Sequence, residues 1–502
     1  MKHKKLRLAL LCALALAALG GGIWGGIYLW QIQPQPIAPG DYNEHIPFAD
    51  YIEEQEIPQG KNVFNVRDYA VDGQKDWTQA IRAAIAAVRE NSGGTLLFEG
   101  GDFVSGTVDF SNTIYFTLWV APNARLIASH KFGDFDGAFI KATGAEHVRI
   151  TGGGIIDGQG EYFVKRPKEL PRLTPYDTTD IRALRDDYYD RIRFGRLGRP
   201  SAMVWLRDCS DVQVDNITLC DSMHWTLKID LSDNVLVENM VIDNNRHVAN
   251  TDGIDIVGSQ DVTVRHCFIS TADDGIVLKT PEEKNPEPVW RVNISDCEIQ
   301  TCVNAFKIGT ETIGEISTVS LNNIHAALPG IYPGGVSGIS IESEDGAYVH
   351  DVTIRNFSMD GVTCPLFIRL GDRNRYGGQK GAGRLENITV ENLTARDAEL
   401  PMLISGVKNG KSATQYIKNV TLRDFDITYR DNNEQVELRD DVPEYAKDYP
   451  ENWRFLDVPA FGLWARHVDG LTLEGIGVTP RTVNTRGKFA WVDVLHFEEE
   501  AQ

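Results

Sequence analysis

The sequence predicts an all-β chain folded as a single-stranded, right-handed parallel β-helix with an N-terminal capping helix. Three observations carry this. First, one pattern recurs along the second half: a turn residue, a β-branched alternation, Asn or Asp, then more apolar residues. It reads DVQVDNITL, NVLVENMVI, DVTVRHCFI, RVNISDCEI, DVTIRNFSM, NITVENLTA and NVTLRDFDI. Second, the first apolar residues of such units are Val212, Val235, Val262, Val292, Val319, Val352, Ile388 and Val420, with gaps of 23, 27, 30, 27, 33, 36 and 32 residues. Val148 and Leu471 open similar motifs at either end. Self-similarity at this period marks a solenoid whose coils bury a core together that none could bury alone. Third, the units are short alternating strands with no helical period between them. A propeller needs four strands and roughly 40 residues per blade, and the gaps are too short for it.

In chain order, Lys2, Lys4, Lys5 and Arg7 precede an uncharged run from Leu8 to Ile32. That run is long enough to span a bilayer, with its positive end cytoplasmic. Residues 1–32 are therefore expected to be a signal-anchor segment, the alternative being a signal peptide cleaved near Ala13 to Ala18. Either way the remainder is expected to be extracytoplasmic. Residues 33–60, with Pro34, Pro36 and Pro39, read as a stiffened tether, and 61–502 as the β-helix domain. Asp76-Trp77-Thr78-Gln79 is an acidic variant of a capping box. Ile81, Ile85 and Val88 share one helical face, and Ser92-Gly93-Gly94 ends the helix. Such a helix covers strand edges at the open end of a solenoid.

Composition, 42% hydrophobic and 24% charged, is that of a globular protein. The net charge of −21 argues against a nucleic-acid partner, which needs a basic surface. It leaves room for an anionic polysaccharide, because local groove charge can oppose the global sign. No cofactor or metal is expected, and the chain is expected to act as a monomer. Outside the anchor stand Cys209, Cys220, Cys267, Cys297, Cys302 and Cys364, without a CxxC pair. Cys267 and Cys297 each lie five residues past a marker, so a buried stack of small side chains is favoured over a disulfide.

The chemistry gathers where two coils align without gaps. Thr251-Asp252-Gly253-Ile254-Asp255-Ile256 matches Asp273-Asp274-Gly275-Ile276-Val277-Leu278 at an offset of 22. Asp252 then lies beside Asp274 on strands about 4.8 Å apart, with Asp273 one residue earlier. Crowded carboxylates raise at least one pKa, and separated pKa values supply an acid and a base in one place. The plainer alternative is a calcium site or an Asp ladder capping turns. In the same alignment Trp225 falls at the Asp252 position with His224 beside it, and Asn304 follows Asp274. Alternation sends Ile254, Ile256, Ile276, Leu278, Phe306 and Ile308 inward. Asp255, Lys279, Lys307, Glu342 and Arg369 then point outward, a mixed-charge face suited to a sugar chain bearing carboxylates.

Here the residues resemble glycoside hydrolase family 28, the polygalacturonase and rhamnogalacturonan hydrolase family. The matching stretches are NTDGID (250–255) and ADDGIVLK (272–279), with GGGIIDGQG (152–160), MHWTLKI (223–229) and FIRLGDR (367–373). The likeness runs over roughly residues 60 to 480. It implies a pectin lyase-like solenoid, a pectic substrate and inverting hydrolysis, with Asp273 protonating the glycosidic oxygen while Asp252 and Asp274 hold water as a two-point clamp. Asn250, His224, Trp225, Asn304, Lys279, Lys307, Glu311 and Arg369 are the expected substrate-binding residues. Two departures stand out. NAFKIGTET (304–312) replaces the family's GHG motif, and Gly371 occupies the position expected for a Lys. They point away from a plain endo-polygalacturonase, toward exo action or rhamnogalacturonan-type pectin, with Lys307, Glu311 and Arg369 standing in for the missing groups. The rivals are a polysaccharide lyase, pairing a Lys or Arg base with calcium, and a non-catalytic surface binding protein.

Overall fold

The computed structural model describes residues 48–500 apart from 166–194, 197, 247, 281–285, 328–335, 376–382, 431–437, 440, 456 and 482–484. The expected anchor and residues 33–47 of the tether lie outside the described residues. Among the described residues no helix is long and apolar enough to cross a membrane.

Period-2 alternation fixes which face of each strand is apolar, and stacking those faces sets the register. The markers therefore meet one another: Val148 pairs with Val212, and the line continues through Val235, Val262 and Val292. It runs on through Val319, Val352, Ile388, Val420 and Leu471. Every pairing in this line is parallel, so each gap in the sequence is one turn of a right-handed β-helix.

The polar residue inside the repeat is a corner. Four residues past the markers, Asn216, Asn239, His266, Asp296, Asn323, Asn356, Asn392 and Asp424 all adopt φ between 45 and 56°. This left-handed conformation is tolerated by Asn and Asp far better than by β-branched residues. It bends the strand so that the next residue points inward again, burying Ile217, Met240, Cys267, Cys297, Ile324, Phe357, Leu393 and Phe425. Corner side chains bond from coil to coil, as from Asn323 Nδ2 to Asp296 Oδ1 at 2.7 Å and from Asn392 Nδ2 to Asn356 Oδ1 at 2.6 Å. Cys267 and Cys297 are free and buried in the inward stack.

The capping helix spans Thr78–Glu90 and buries Ile81, Ile85 and Val88. It opens one residue later than the capping box implies. Asp76 Oδ1 accepts from Thr78 N at 2.9 Å and Thr78 Oγ1 at 2.6 Å, which leaves Trp77 at the cap position.

Candidate active site

A second parallel ladder carries the site. It runs through Trp225–Asp230, Ile254–Val257, Ile276–Lys279, Asn304–Ile308, Ser337–Ser343, Cys364–Leu370 and Met402–Ser405. Ile254 pairs with Ile276 and Ile276 with Phe306, so the offset of 22 is structural. At the mouth of the ladder Thr226 N donates to Asp252 O, Gly253 N to Asp274 O and Gly275 N to Asn304 O. The residue after each Asp must be Gly. A Cβ at 253 would lie 2.5 Å from Gly275 O, and one at 275 would lie 2.4 Å from Ile299 Cγ2.

Asp252, Asp273 and Asp274 are brought together: one oxygen from each lies within 4.8 Å of the others, and all three are buried. Asp273 takes backbone N–H groups on both oxygens, from Asp274 at 3.1 Å and from Asn250 at 3.3 Å. Asp274 receives Asn304 Nδ2 at 2.7 Å and faces Lys307 Nζ at 3.3 Å. Asp252 Oδ2 faces Lys279 Nζ at 3.3 Å, while its buried Oδ1 meets no donor among the described residues. Lys279 Nζ also reaches Asp255 at 2.9 Å and Glu311 at 3.9 Å, and lies 3.8 Å from the centre of the Trp225 ring. His224 Nδ1 accepts from Trp225 N at 2.8 Å, and the two rings meet edge to face.

Burial governs the electrostatics. It pushes Asp252 well above the usual carboxylate range and Asp274 upward, with Lys279 and Lys307 opposing it respectively. Burial likewise lifts Asp255 to about 6 and Glu342 to about 7. It works against the charge of Lys279 and Lys307, yet the surrounding carboxylates outweigh it and hold both ammoniums firmly protonated. The same two lysines keep Glu311 below its ordinary value against burial.

Of the expected residues, Asn250, His224, Trp225, Asn304, Lys279, Lys307 and Glu311 gather around the three carboxylates. Arg369 does not. It sits three strands past Ile276–Lys279, roughly 14 Å away at the strand spacing, and is 1% exposed. Its guanidinium donates to Ser405 Oγ at 2.9 Å, Gly406 O at 3.1 Å and Glu444 O at 2.7 Å. The outward face was expected to be an open groove; Lys279, Lys307, Glu342 and Arg369 are instead covered. A Cβ at 371 would lie 1.7 Å from Glu344 Oε2, so a Lys there would require the buried Glu344 carboxylate to move. Tyr449 and Arg373 were not foreseen. Lys307 Nζ is 5.8 Å and the Arg373 guanidinium 5.5 Å from the Tyr449 ring. Arg373 stood in a quoted motif, whereas Tyr449 lies in a stretch without repeat signal.

Three carboxylates could hold a divalent cation. Two ammoniums already stand 3.3 Å from two of them and supply the positive charge, so the donor set suits a metal poorly.

A β-helix with stacked, lysine-backed aspartates is the scaffold and equipment of a glycoside hydrolase. Residues 197–438, just under half of the chain, match the model of glycosyl hydrolases family 28, and the chain is a glycoside hydrolase similar to that family. The probable polygalacturonase of Vitis vinifera is 24% identical over 393 residues, covering 70% of this chain and 72% of its own. The endo-polygalacturonase of Pectobacterium carotovorum subsp. carotovorum is 24% identical over 300 residues, covering 57% and 68%. The solved family 28 exopolygalacturonase of Yersinia enterocolitica shares the fold, with a TM-score of 0.64, 18% identity and coverage of 87% and 78%.

Proposed function

We propose that this chain hydrolyses O-glycosidic bonds of a pectic poly- or oligosaccharide, of galacturonan or rhamnogalacturonan type, with inversion at the anomeric carbon. The observation that carries the reading is the convergence of Asp252, Asp273 and Asp274 within 4.8 Å on a scaffold shared with polygalacturonases. Asp273, one residue out of register with the stacked pair, protonates the glycosidic oxygen as the bond to the anomeric carbon breaks. A water attacks that carbon and loses its proton to Asp252, whose Oδ1 has no competing donor among the described residues. Asp274, with partners at both oxygens, orients that water. The pair is thus an unequal clamp, one carboxylate basic and the other positioning. Asn250, His224, Trp225, Asn304, Lys279, Lys307 and Glu311 bind substrate, the lysines meeting its carboxylates.

Inverting sites commonly separate acid and base by about 6.5–9.5 Å, and this cluster is tighter, so the stereochemistry is tested directly. The first product anomer, followed by proton NMR, should be inverted; a retained anomer would turn Asp252 into a nucleophile. The reaction is tested with the full chain on homogalacturonan and rhamnogalacturonan. Reducing ends should appear without the ultraviolet absorbance of a new double bond. That absorbance would mean a lyase, and no release from either polymer would mean a binding protein. Residues 1–32 support export, with 33–60 tethering a monomeric catalytic domain, residues 61–502, outside the membrane; recovery of the whole chain in the membrane fraction tests this.

A further inference from the structure

The outward side of the site ladder carries two neighbouring rows of side chains, which are buried at Lys279 and Lys307 and stay covered beyond them. One row continues from Lys307 through Ser340, Phe367, Leu403 and Trp464. The last three are buried against Val442, Trp453, Phe455 and Val458. These residues belong to an excursion of the chain between the strands Ile417–Tyr429 and Ala460–Pro480. The other row places Arg369, Ser405 and Arg466 in register, and its two guanidiniums grip the backbone of that excursion. Arg466 Nη1 donates to Val442 O at 2.7 Å and Nη2 to Pro443 O at 3.3 Å; Arg369 Nη2 donates to Glu444 O at 2.7 Å and Tyr445 O at 3.3 Å. Four consecutive carbonyls are thereby held by two buried cations, and Ser405 Oγ accepts from both.

The far end of the excursion is pinned as well. Asn452 Nδ2 donates to Ser337 Oγ at 3.1 Å, two strands past Ile276–Lys279 and so roughly 10 Å from Asp274 along the ladder. Tyr449, 43% exposed, stands there beside Lys307. On the other side of Asp252 the outward row runs through Lys228 and Trp205, both part exposed. Among the described residues, a polymer lying along this face has room past Asp252 but meets a wall soon after Asp274.

We infer that the excursion around residues 441–455 is an end-stop that confines this enzyme to chain ends, with Tyr449 the platform against which the terminal sugar rests. Arg369 and Arg466 are the positioning residues that hold it. The inference rests on the pectic-hydrolase reading above. Buried guanidiniums bonded to backbone make the stop a fixed wall, unlike a flap, because opening it would leave charges without partners in the interior.

The test uses the full chain and long homogalacturonan. One short product should accumulate from the earliest time point, while viscosity stays nearly constant as reducing ends appear. Arg466→Met keeps an apolar stem at that position but releases two carbonyls, and should lose the single-product pattern in favour of a mixture of lengths. Tyr449→Ala, at a surface position, should keep the single product and raise KM for short oligomers up to about tenfold, the worth of one aromatic contact. A ladder of lengths from the wild type at the outset overturns the inference. So do a single-product pattern in Arg466→Met and an unchanged KM in Tyr449→Ala. Absence of any reducing ends would instead fail the hydrolase reading, so the two failures are distinct.

Discussion

Glu342→Gln probes the burial that governs this site. Glu342 is 2% exposed; its Oε1 accepts from Ser340 Oγ at 2.6 Å and its Oε2 is buried with no donor among the described residues. Burial lifts it from 4.5 to about 7, with Lys307 opposing. Below pH 4.5 both folded and unfolded chains hold the proton and nothing is lost. Between 4.5 and 7 the unfolded chain releases it while the native chain keeps it, so stability falls as pH rises. Above 7 the full cost stands. At about 1.4 kcal/mol per pH unit the gap comes to about 3 kcal/mol. Gln is neutral throughout, so subtracting wild type from variant removes effects common to both. Guanidinium unfolding at a series of pH values should show the difference swinging toward Glu342→Gln by about 3 kcal/mol between pH 4 and 8. A flat difference across that window would refute the reasoning, as would a swing of opposite sign.

Asp273→Asn should lower kcat by about 10²- to 10⁴-fold, the worth of a general acid, with an unchanged circular dichroism spectrum. Lys279→Met leaves Asp252 and Asp255 buried without their cation and should destabilise by about 3–5 kcal/mol above pH 6. Because both carboxylates can then take protons, the loss should shrink in acid, which unfolding at pH 5 and pH 8 would read. At the left-handed corner, Asn356→Ala loses coil-to-coil bonds and carries a Cβ in a strained conformation. Asn356→Gly loses only the bonds, so it should be the more stable variant by about 1 kcal/mol.

The register of the solenoid was legible because alternation, corner and marker repeat in every coil, so any one unit predicts the next. The same logic stacked Asp252 on Asp274 and placed Asn304 and Trp225 in their line. Outward charges were harder to read. Alternation says that Lys279, Lys307 and Arg369 leave the core, but whether water or protein meets them depends on what folds over that face. The stretch around residues 441–455 has no repeat, and its contacts join residues far apart in sequence, as when Arg369 reaches Glu444. Hence Tyr449 went unseen and Arg369 was assigned to the substrate. How the two-point clamp divides its work was not legible for a related reason: register places Cα atoms, whereas the donors at each carboxylate belong to side chains reaching across strands.

A chain of net charge −21 that takes an acidic polymer needs local positive charge, and this site acquires it by titration. Lys279 and Lys307 stay protonated throughout. Two of their neighbours do not stay ionised: Asp255 takes a proton at about 6 and Glu342 at about 7. Above that range the lysines are largely neutralised by the carboxylates around them. As pH falls through it, two negative charges vanish and, on the function proposed above, the same lysines become available to a galacturonate carboxylate. KM for an anionic oligomer should therefore rise as pH climbs from 5 to 8, while a methyl-esterified oligomer of equal length, carrying no charge, shows no such rise. The comparison separates charge from catalysis, because both substrates share the acid and the base. An equal rise for both would place the titration on the reacting carboxylates, and a KM for the anionic oligomer that falls with pH would remove the lysines from its recognition.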